Sequence, residues 1–282
     1  MFWVRFRSSV IIVIATVALL LLGGLYLFAA IVLISLIGMM EIYRSIGGAD
    51  AAAGKMFEKK DNRSMQLTVP GFLAYVACII YNLMEYFNKT EYLPEFFVIF
   101  FLVLMITYVL LFPTYDSAQI TMVFFGFFYV AVMLSYLYKI RFLENGSVIV
   151  WMALIGSWGS DTAAYLAGSR FGRHKIVPRL SPKKSVEGFF GGIIGAAFLG
   201  LVFGYFAKGY LTDIENPVLA CVLMGGCSSV LSQLGDWTAS AIKRNYGIKD
   251  YGRLIPGHGG IMDRFDSVIF TAPIVYYLAI LL

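Results

Sequence analysis

Apolar runs long enough, or nearly long enough, to cross a bilayer recur from one end of this chain to the other, and that recurrence constrains its fold more than any other feature. A helix needs about 20 predominantly apolar residues to span a hydrocarbon core of roughly 30 Å. Nine stretches read as candidate spans: 8–22, 24–42, 67–87, 94–112, 117–138, 147–168, 188–207, 217–242 and 263–282. With 60% hydrophobic and 14% charged residues, the 282 residues cannot be divided into water-soluble domains. The expected fold class is all-α, a polytopic integral membrane protein of about nine transmembrane helices. Gly23-Gly24 is either a hairpin tip between two short spans or a flexible point in one long helix. Arg5 and Arg7 ahead of an apolar run resemble a secretory signal, but no soluble domain follows, so an uncleaved first span is expected. Cys78, Cys221 and Cys227 sit in apolar runs without C-x-x-C spacing and read as small packing residues.

The basic residues are distributed unevenly. If the spans alternate and the N-terminus is cytosolic, 18 of the 22 Lys and Arg fall on that side, in the N-terminal segment and in loops around 44–63, 170–184 and 243–264. Only Lys89, Lys139, Arg141 and Lys208 fall on the other. Such an asymmetry is what the positive-inside rule produces, and it puts the large loops in the cytosol. Topology and attraction to anionic lipid account for Lys55, Lys59, Lys60 and Arg63. They do not account for the other two loops, whose basic residues are interleaved with Gly, Ser, Pro, His and Asp.

The carboxylates sharpen this. A helix from Pro217 to Tyr246 would be about 45 Å long, longer than the hydrocarbon core, and would protrude on the cytosolic side with Asp236 about 28 Å along it. The ninth span needs all the residues from Asp263 to Leu282, so Asp263 starts at the same boundary, and Asp266 follows one turn inward on nearly the same face. Asp161 counts out to about 21 Å into the sixth span, somewhat deeper. Ionised carboxylates near lipid face a partner, a cation or water. An oxygen-only set at one level suits a hard cation such as Mg2+, completed by waters and substrate phosphates. The alternative is that Asp263 and Asp266 pair with Arg264, Lys243 or Arg244 as structural ion pairs at a helix start.

Two polar stretches look built for phosphate. In "RLSPKKSVEGFFGG", Ser181 is the expected N-cap and Pro182 the first helical residue of the seventh span, with Lys183 and Lys184 adding charge at a helix N-terminus. The Gly188, Gly191, Gly192 and Gly195 spacings more often mean close helix packing than ligand contact. In "PGHGG", Gly257, Gly259 and Gly260 flank His258 and would let backbone approach a ligand; a tight turn with an incidental His is the alternative. No Walker-type loop, zinc spacing or Ser-His-Asp arrangement is readable.

From Ser240 to Asp266 the chain reads "SAIKRNYGIKDYGRLIPGHGGIMDRFD". This resembles, position by position, the signature of the phosphatidate cytidylyltransferases (CDP-diacylglycerol synthases): S-x-x-K-R, K-D, P-G-H-G-G and D-R-x-D. "SQLGDWTAS" and "SPKKSVEGFFGG" look like that family too, with Ser185 where threonine is commoner. The specific likeness covers roughly residues 155–270. It implies an integral membrane enzyme that uses CTP and Mg2+, as one or two cations, to convert phosphatidic acid to CDP-diacylglycerol with release of pyrophosphate, often as a homodimer. Carried across, Asp236 and Asp263 become the metal ligands, with Asp161 and Asp266 as further candidates. Lys243, Arg244, Lys249, Asp250, His258, Arg264 and Asp266 become the nucleotide and phosphate site, joined by Ser181, Lys183, Lys184, Gly259 and Gly260.

On this reading residues 1–112 supply about four N-terminal spans with a basic loop at 44–66. Residues 113–282 form a catalytic region of about five spans with loops at 170–187 and 243–264. The reaction joins two anions, about four charges on CTP and about two on the phosphomonoester, so repulsion is its main obstacle. The nucleophile is already ionised, and His258 is expected to orient or donate to a phosphate rather than to abstract a proton. CTP from the cytosol and phosphatidic acid from the bilayer put the site at the cytosolic boundary of what is expected to be a bacterial inner membrane. Partners are CTP, phosphatidic acid and membrane lipids, with no nucleic acid. The competing readings are a CTP-dependent kinase or cytidylyltransferase for another lipid, of polyprenol type, and a secondary transporter.

Overall fold

The structure is a computed structural model describing residues 2–47 and 65–282. The lysines and arginine of the basic loop, Lys55, Lys59, Lys60 and Arg63, lie outside the described residues. Among those described there are helices and turns but no strand. In chain order the helices are α1 (Phe2–Leu22), α2 (Gly24–Gly47), α3 (Val69–Tyr86), α4 (Leu93–Leu110), α5 (Ser117–Gly126), α6 (Met133–Phe142), α7 (Gly146–Leu154), α8 (Ser160–Phe171), α9 (Val186–Ala207), α10 (Pro217–Asn245), α11 (Met262–Phe265) and α12 (Val268–Leu281). A π-helical turn at Phe127–Val132 joins α5 to α6, and one at Ile155–Gly159 joins α7 to α8, so each pair runs on as one helix. Among the described residues six helices are long and apolar enough to cross a membrane, and Phe6–Leu22 and Val268–Leu281 are shorter apolar helices. The protein is an α-helical integral membrane protein.

Local chemistry sets the boundaries. Gly23 and Gly24 both take positive φ, 61° and 47°, which ends α1 and starts α2 as a separate helix. Thr68 caps α3 by accepting from the Gly71 amide, and Asp116 with Gln119 forms a full capping box at α5. The last apolar run departs from expectation. It is not one helix from Asp263: the Asp266 carboxylate accepts the Ser267 N–H at 2.8 Å, taking a donor that a continuous helix would give to the carbonyl four residues back. The chain turns at Asp266 and Ser267, and α12 begins at Val268.

Two compact units each draw on separated stretches. The first comprises Met1–Leu19, Gly24–Ser135 and Lys243–Asp263. Its core is aromatic: Phe127 meets Tyr81 edge-on at 5.9 Å and Phe100 at 4.9 Å. Two of the buried hydroxyls there find partners, Tyr43 Oη donating to the Val123 carbonyl at 2.6 Å and Tyr81 pairing with Ser135 at 3.0 Å.

The second comprises Leu20–Gly23, Tyr136–Ile242 and Arg264–Leu282. Its core relies on small residues. A Cβ at Gly191 would lie 2.2 Å from Ala167 Cβ, and one at Gly195 would lie 2.3 Å from Ala163 Cβ, so α8 and α9 touch almost backbone to backbone. Gly200 and Gly204 do the same against α10 at Cys221. The glycine spacing of α9 thus serves helix packing. Ser160 and Ser229 pair at 2.6 Å between α8 and α10, and Thr271 donates to the Ala153 carbonyl at 3.0 Å.

Candidate active site

In the second unit the charged groups gather around Asp236 on α10. Lys184 forms an ion pair with Asp236, and both side chains remain about a quarter exposed. Asp161, on the first turn of α8, lies within electrostatic reach of Lys184, Asp236 and Arg264. Ser267 Oγ donates toward Asp161 Oδ2 at 3.5 Å, while the Ser267 amide is held by the buried Asp266. Three carboxylates from α8, α10 and the turn before α12 thereby share a neighbourhood with one lysine and one arginine.

The segment carrying Lys183 and Lys184 is shaped differently from the sequence expectation. Residues 177–184 fold into turns, with Leu180 and Ser181 N–H both donating to the Val177 carbonyl and Ile176 N–H donating to Lys184 O. The N-cap of α9 is therefore Ser185, not Ser181, and its hydroxyl accepts from the Gly188 amide at 3.1 Å. Ser181 cannot cap a helix that begins one turn later, and Pro182 is not its first residue. Glu187, in the first turn of α9, closes the segment from behind by accepting from the Arg173 amide at 3.0 Å and pairing with His174 Nδ1 at 2.7 Å.

In the first unit the assembly centres on Asp263. Its Oδ1 pairs with Lys243 Nζ at 2.9 Å, and its Oδ2 accepts from the Tyr251 and Gly260 amides, each at 2.9 Å. Side-chain exposure is 13% for Lys243 and 4% for Asp263, so both of the latter's oxygens are enclosed by their partners. The Lys243 ammonium also lies over the Tyr251 ring, 5.3 Å from its centroid. The structural ion pair weighed from the sequence is thus present. Residues scattered over the signature, the K of K-R, the last G of H-G-G and the D of D-R, form one hydrogen-bonded knot.

His258 sits in the turn between Ile255 and Gly259, which bond to each other across an isolated bridge. Its Nε2 lies 3.0 Å from Ser9 Oγ, and Ser8 donates to the Pro256 carbonyl at 3.0 Å, so α1 carries the turn. Gly257 and Gly259 take φ of 78° and 87°, which only glycine accepts readily. A Cβ at Gly259 would fall 2.7 Å from Asp263 Oδ2, so this glycine is required by the carboxylate inside the knot. Arg244, Lys249 and Asp250 are exposed around it.

Glu41 was not legible as a site residue. It lies on α2, is 8% exposed, and its two oxygens accept from the Ile261 amide at 3.1 Å and the Met262 amide at 2.9 Å. A carboxylate within an apolar run was the available signal. Ser9, Tyr251 and Ser267 offered none, because their parts depend on backbone proximity that spacing does not reveal.

These features define the class: a helical membrane protein in which each unit pairs a carboxylate with a lysine, one of them beside a glycine-rich turn. A model of the cytidylyltransferase family matches residues 3–282. The chain is 37% identical to a phosphatidate cytidylyltransferase of Bacillus subtilis (strain 168) over 182 residues, 64% of this chain and 66% of that one. It is 32% identical to a phosphatidate cytidylyltransferase of Staphylococcus epidermidis and 31% identical to one of Staphylococcus aureus (strain COL), each over 98% of both chains. The chain belongs to the cytidylyltransferase family.

Proposed function

We infer that this chain is a phosphatidate cytidylyltransferase, a nucleotidyltransferase of phospholipid biosynthesis. A phosphate oxygen of phosphatidic acid bonds to the α-phosphorus of CTP, the bond from that phosphorus to the β-phosphate oxygen breaks, and CDP-diacylglycerol and pyrophosphate result. The observation that carries this reading, beside family membership, is the knot at Asp263, which brings the separated K-R, H-G-G and D-R elements into one bonded group.

Charge neutralisation is the main task of the residues. Lys183, Lys184, Lys243, Arg244, Lys249, His258 and Arg264 are assigned to the triphosphate and lipid phosphate; in this structure Lys184 and Lys243 pair with Asp236 and Asp263. Mg2+ is proposed as cofactor, with Asp236 and Asp263 as ligands and Asp161 and Asp266 as further candidates. The donor set fits it: Mg2+ usually takes one or two carboxylates and completes its shell with water and substrate phosphates. Among the described residues no group of three or more His, Cys, Asp or Glu forms a protein cage. A lysine ammonium now stands beside each of Asp236 and Asp263, so Mg2+ bound at either carboxylate would take the place of that lysine. Bound there, Mg2+ would withdraw charge from the reacting phosphates. The proposed setting is a bacterial inner membrane with about nine crossings, the N-terminus and site cytosolic, and a homodimer as the assembly.

The test is pyrophosphate release by detergent-purified protein given labelled CTP, Mg2+ and a panel of lipid phosphates. Phosphatidic acid is expected to be the productive acceptor, and a preference for a polyprenyl phosphate would overturn the assignment. Asp236→Asn is the more informative metal variant, because Asp263→Asn also unties the knot. Turnover by Asp236→Asn is expected to fall by orders of magnitude; a near-normal rate at saturating Mg2+ removes Asp236 from the cation.

A further inference from the structure

Three successive backbone amides at the end of the glycine-rich turn, those of Gly260, Ile261 and Met262, point at carboxylates of the protein itself. Gly260 N–H goes to Asp263 Oδ2, Ile261 N–H to Glu41 Oε1 and Met262 N–H to Glu41 Oε2. Consecutive amides of this kind form a concavity that binds anions, and here α2 fills most of it from 220 residues away. The fit is close on two sides. A Cβ on Gly252 would lie 2.2 Å from Glu41 Oε1, and a Cβ on Gly260 would lie 2.3 Å from either oxygen. Gly252 and Gly260 are therefore the walls of a slot made for this carboxylate, and Met262 returns the contact by packing its sulfur 3.0 Å from where a Cβ on Gly38, one turn earlier on α2, would stand.

A carboxylate enclosed near apolar surroundings is costly and persists where it has a task. Glu41 meets no substrate phosphate while its two oxygens hold backbone, and it stands beside a second negative group, Asp263. Charge-assisted bonds to two amides are strong and directional. They fix the end of the turn whose other end carries His258. We propose that Glu41 is a positioning residue for CTP: by anchoring the Ile261 and Met262 amides it holds the His258–Gly260 turn and the Asp263 carboxylate in the arrangement that receives the nucleotide phosphates. This rests on the cytidylyltransferase reading for its substrate and adds to the site a residue of the N-terminal helices.

The experiment compares wild type with Glu41→Gln, Glu41→Asp and Gly252→Ala, purified in one detergent. Glu41→Gln keeps size but turns one acceptor into a donor facing an amide. It is expected to lower kcat/KM for CTP roughly 10- to 100-fold, the scale on which small misplacements act, with KM for phosphatidic acid unchanged. Glu41→Asp, which keeps the charge, should recover part of the loss. Gly252→Ala, which pushes on Glu41 from the loop side, should reproduce the CTP defect. Hydrogen exchange at the Ile261 and Met262 amides, faster in Glu41→Gln than in wild type, reads the anchoring without any substrate. A folded Glu41→Gln or Gly252→Ala protein with wild-type kcat/KM for CTP overturns the proposal, as does unchanged exchange at those amides. So does an equal loss toward both substrates that follows only the fraction folded. If wild type releases no pyrophosphate, the substrate reading has failed, and the exchange measurement still decides the anchoring.

Discussion

Lys243 and Asp263 show how a single pair can serve structure and charge together. Removing one member of an enclosed ion pair leaves the other uncompensated, a change worth about 3 kcal/mol or more in buried cases. Lys243→Met should therefore lower the thermal unfolding midpoint in detergent markedly, whereas adding Asp263→Asn should restore part of the loss, since it removes the stranded charge. Strict additivity of the two single effects would show that the pair contributes nothing beyond its members. The lysine and aspartate were legible as partners because both are charged at one boundary. The glycines were only half legible. Gly259 and Gly260 read as room for a ligand, yet the nearest groups to their missing side chains are the Asp263 and Glu41 carboxylates. Spacing tells that backbone must be approached closely, not by what.

At the scale of elements, hydropathy located the helices well, because lipid demands that each apolar run satisfy its own backbone. What it missed were ends decided by side chains reaching backbone. Ser181 and Ser185 are both plausible caps, and turns through Val177 decide for the later one. Asp266 breaks the last helix by capturing the next amide. The contact of α8 with α9 makes a direct prediction. Gly191→Ala brings its methyl into that of Ala167, an overpacking that costs about 1–3 kcal/mol. The exchange Gly191→Ala with Ala167→Gly should recover most of the lost thermal stability, because it returns the methyl to the other side of the same contact. If the double variant melts no higher than Gly191→Ala alone, the two helices are not held by this pair.

For the whole molecule, the uneven basic residues predict an orientation that thiol labelling can read. In a background with exposed Cys227 replaced by serine, Arg179→Cys in intact bacterial cells should resist a membrane-impermeant maleimide until the inner membrane is opened. Lys208→Cys should react at once once the outer side is reachable. The opposite pattern would reverse the cytosolic assignment. The sequence disclosed that the chain is helical and embedded, and its last third disclosed the chemistry. It did not disclose that the first helices hold the turn at residues 256–262, since a glutamate and two serines among apolar residues match no motif. The first unit is assembled from the beginning, the middle and the late part of the chain, and this has a consequence for synthesis. Translation at about 5–20 residues per second separates Glu41 from the Ile261 and Met262 amides by roughly 10–45 s. For that interval the newborn protein holds an acid whose mates have not yet left the ribosome. A nascent chain stalled before residue 261 should leave Glu41 reactive toward a carboxyl-modifying carbodiimide, and one released at full length should shield it.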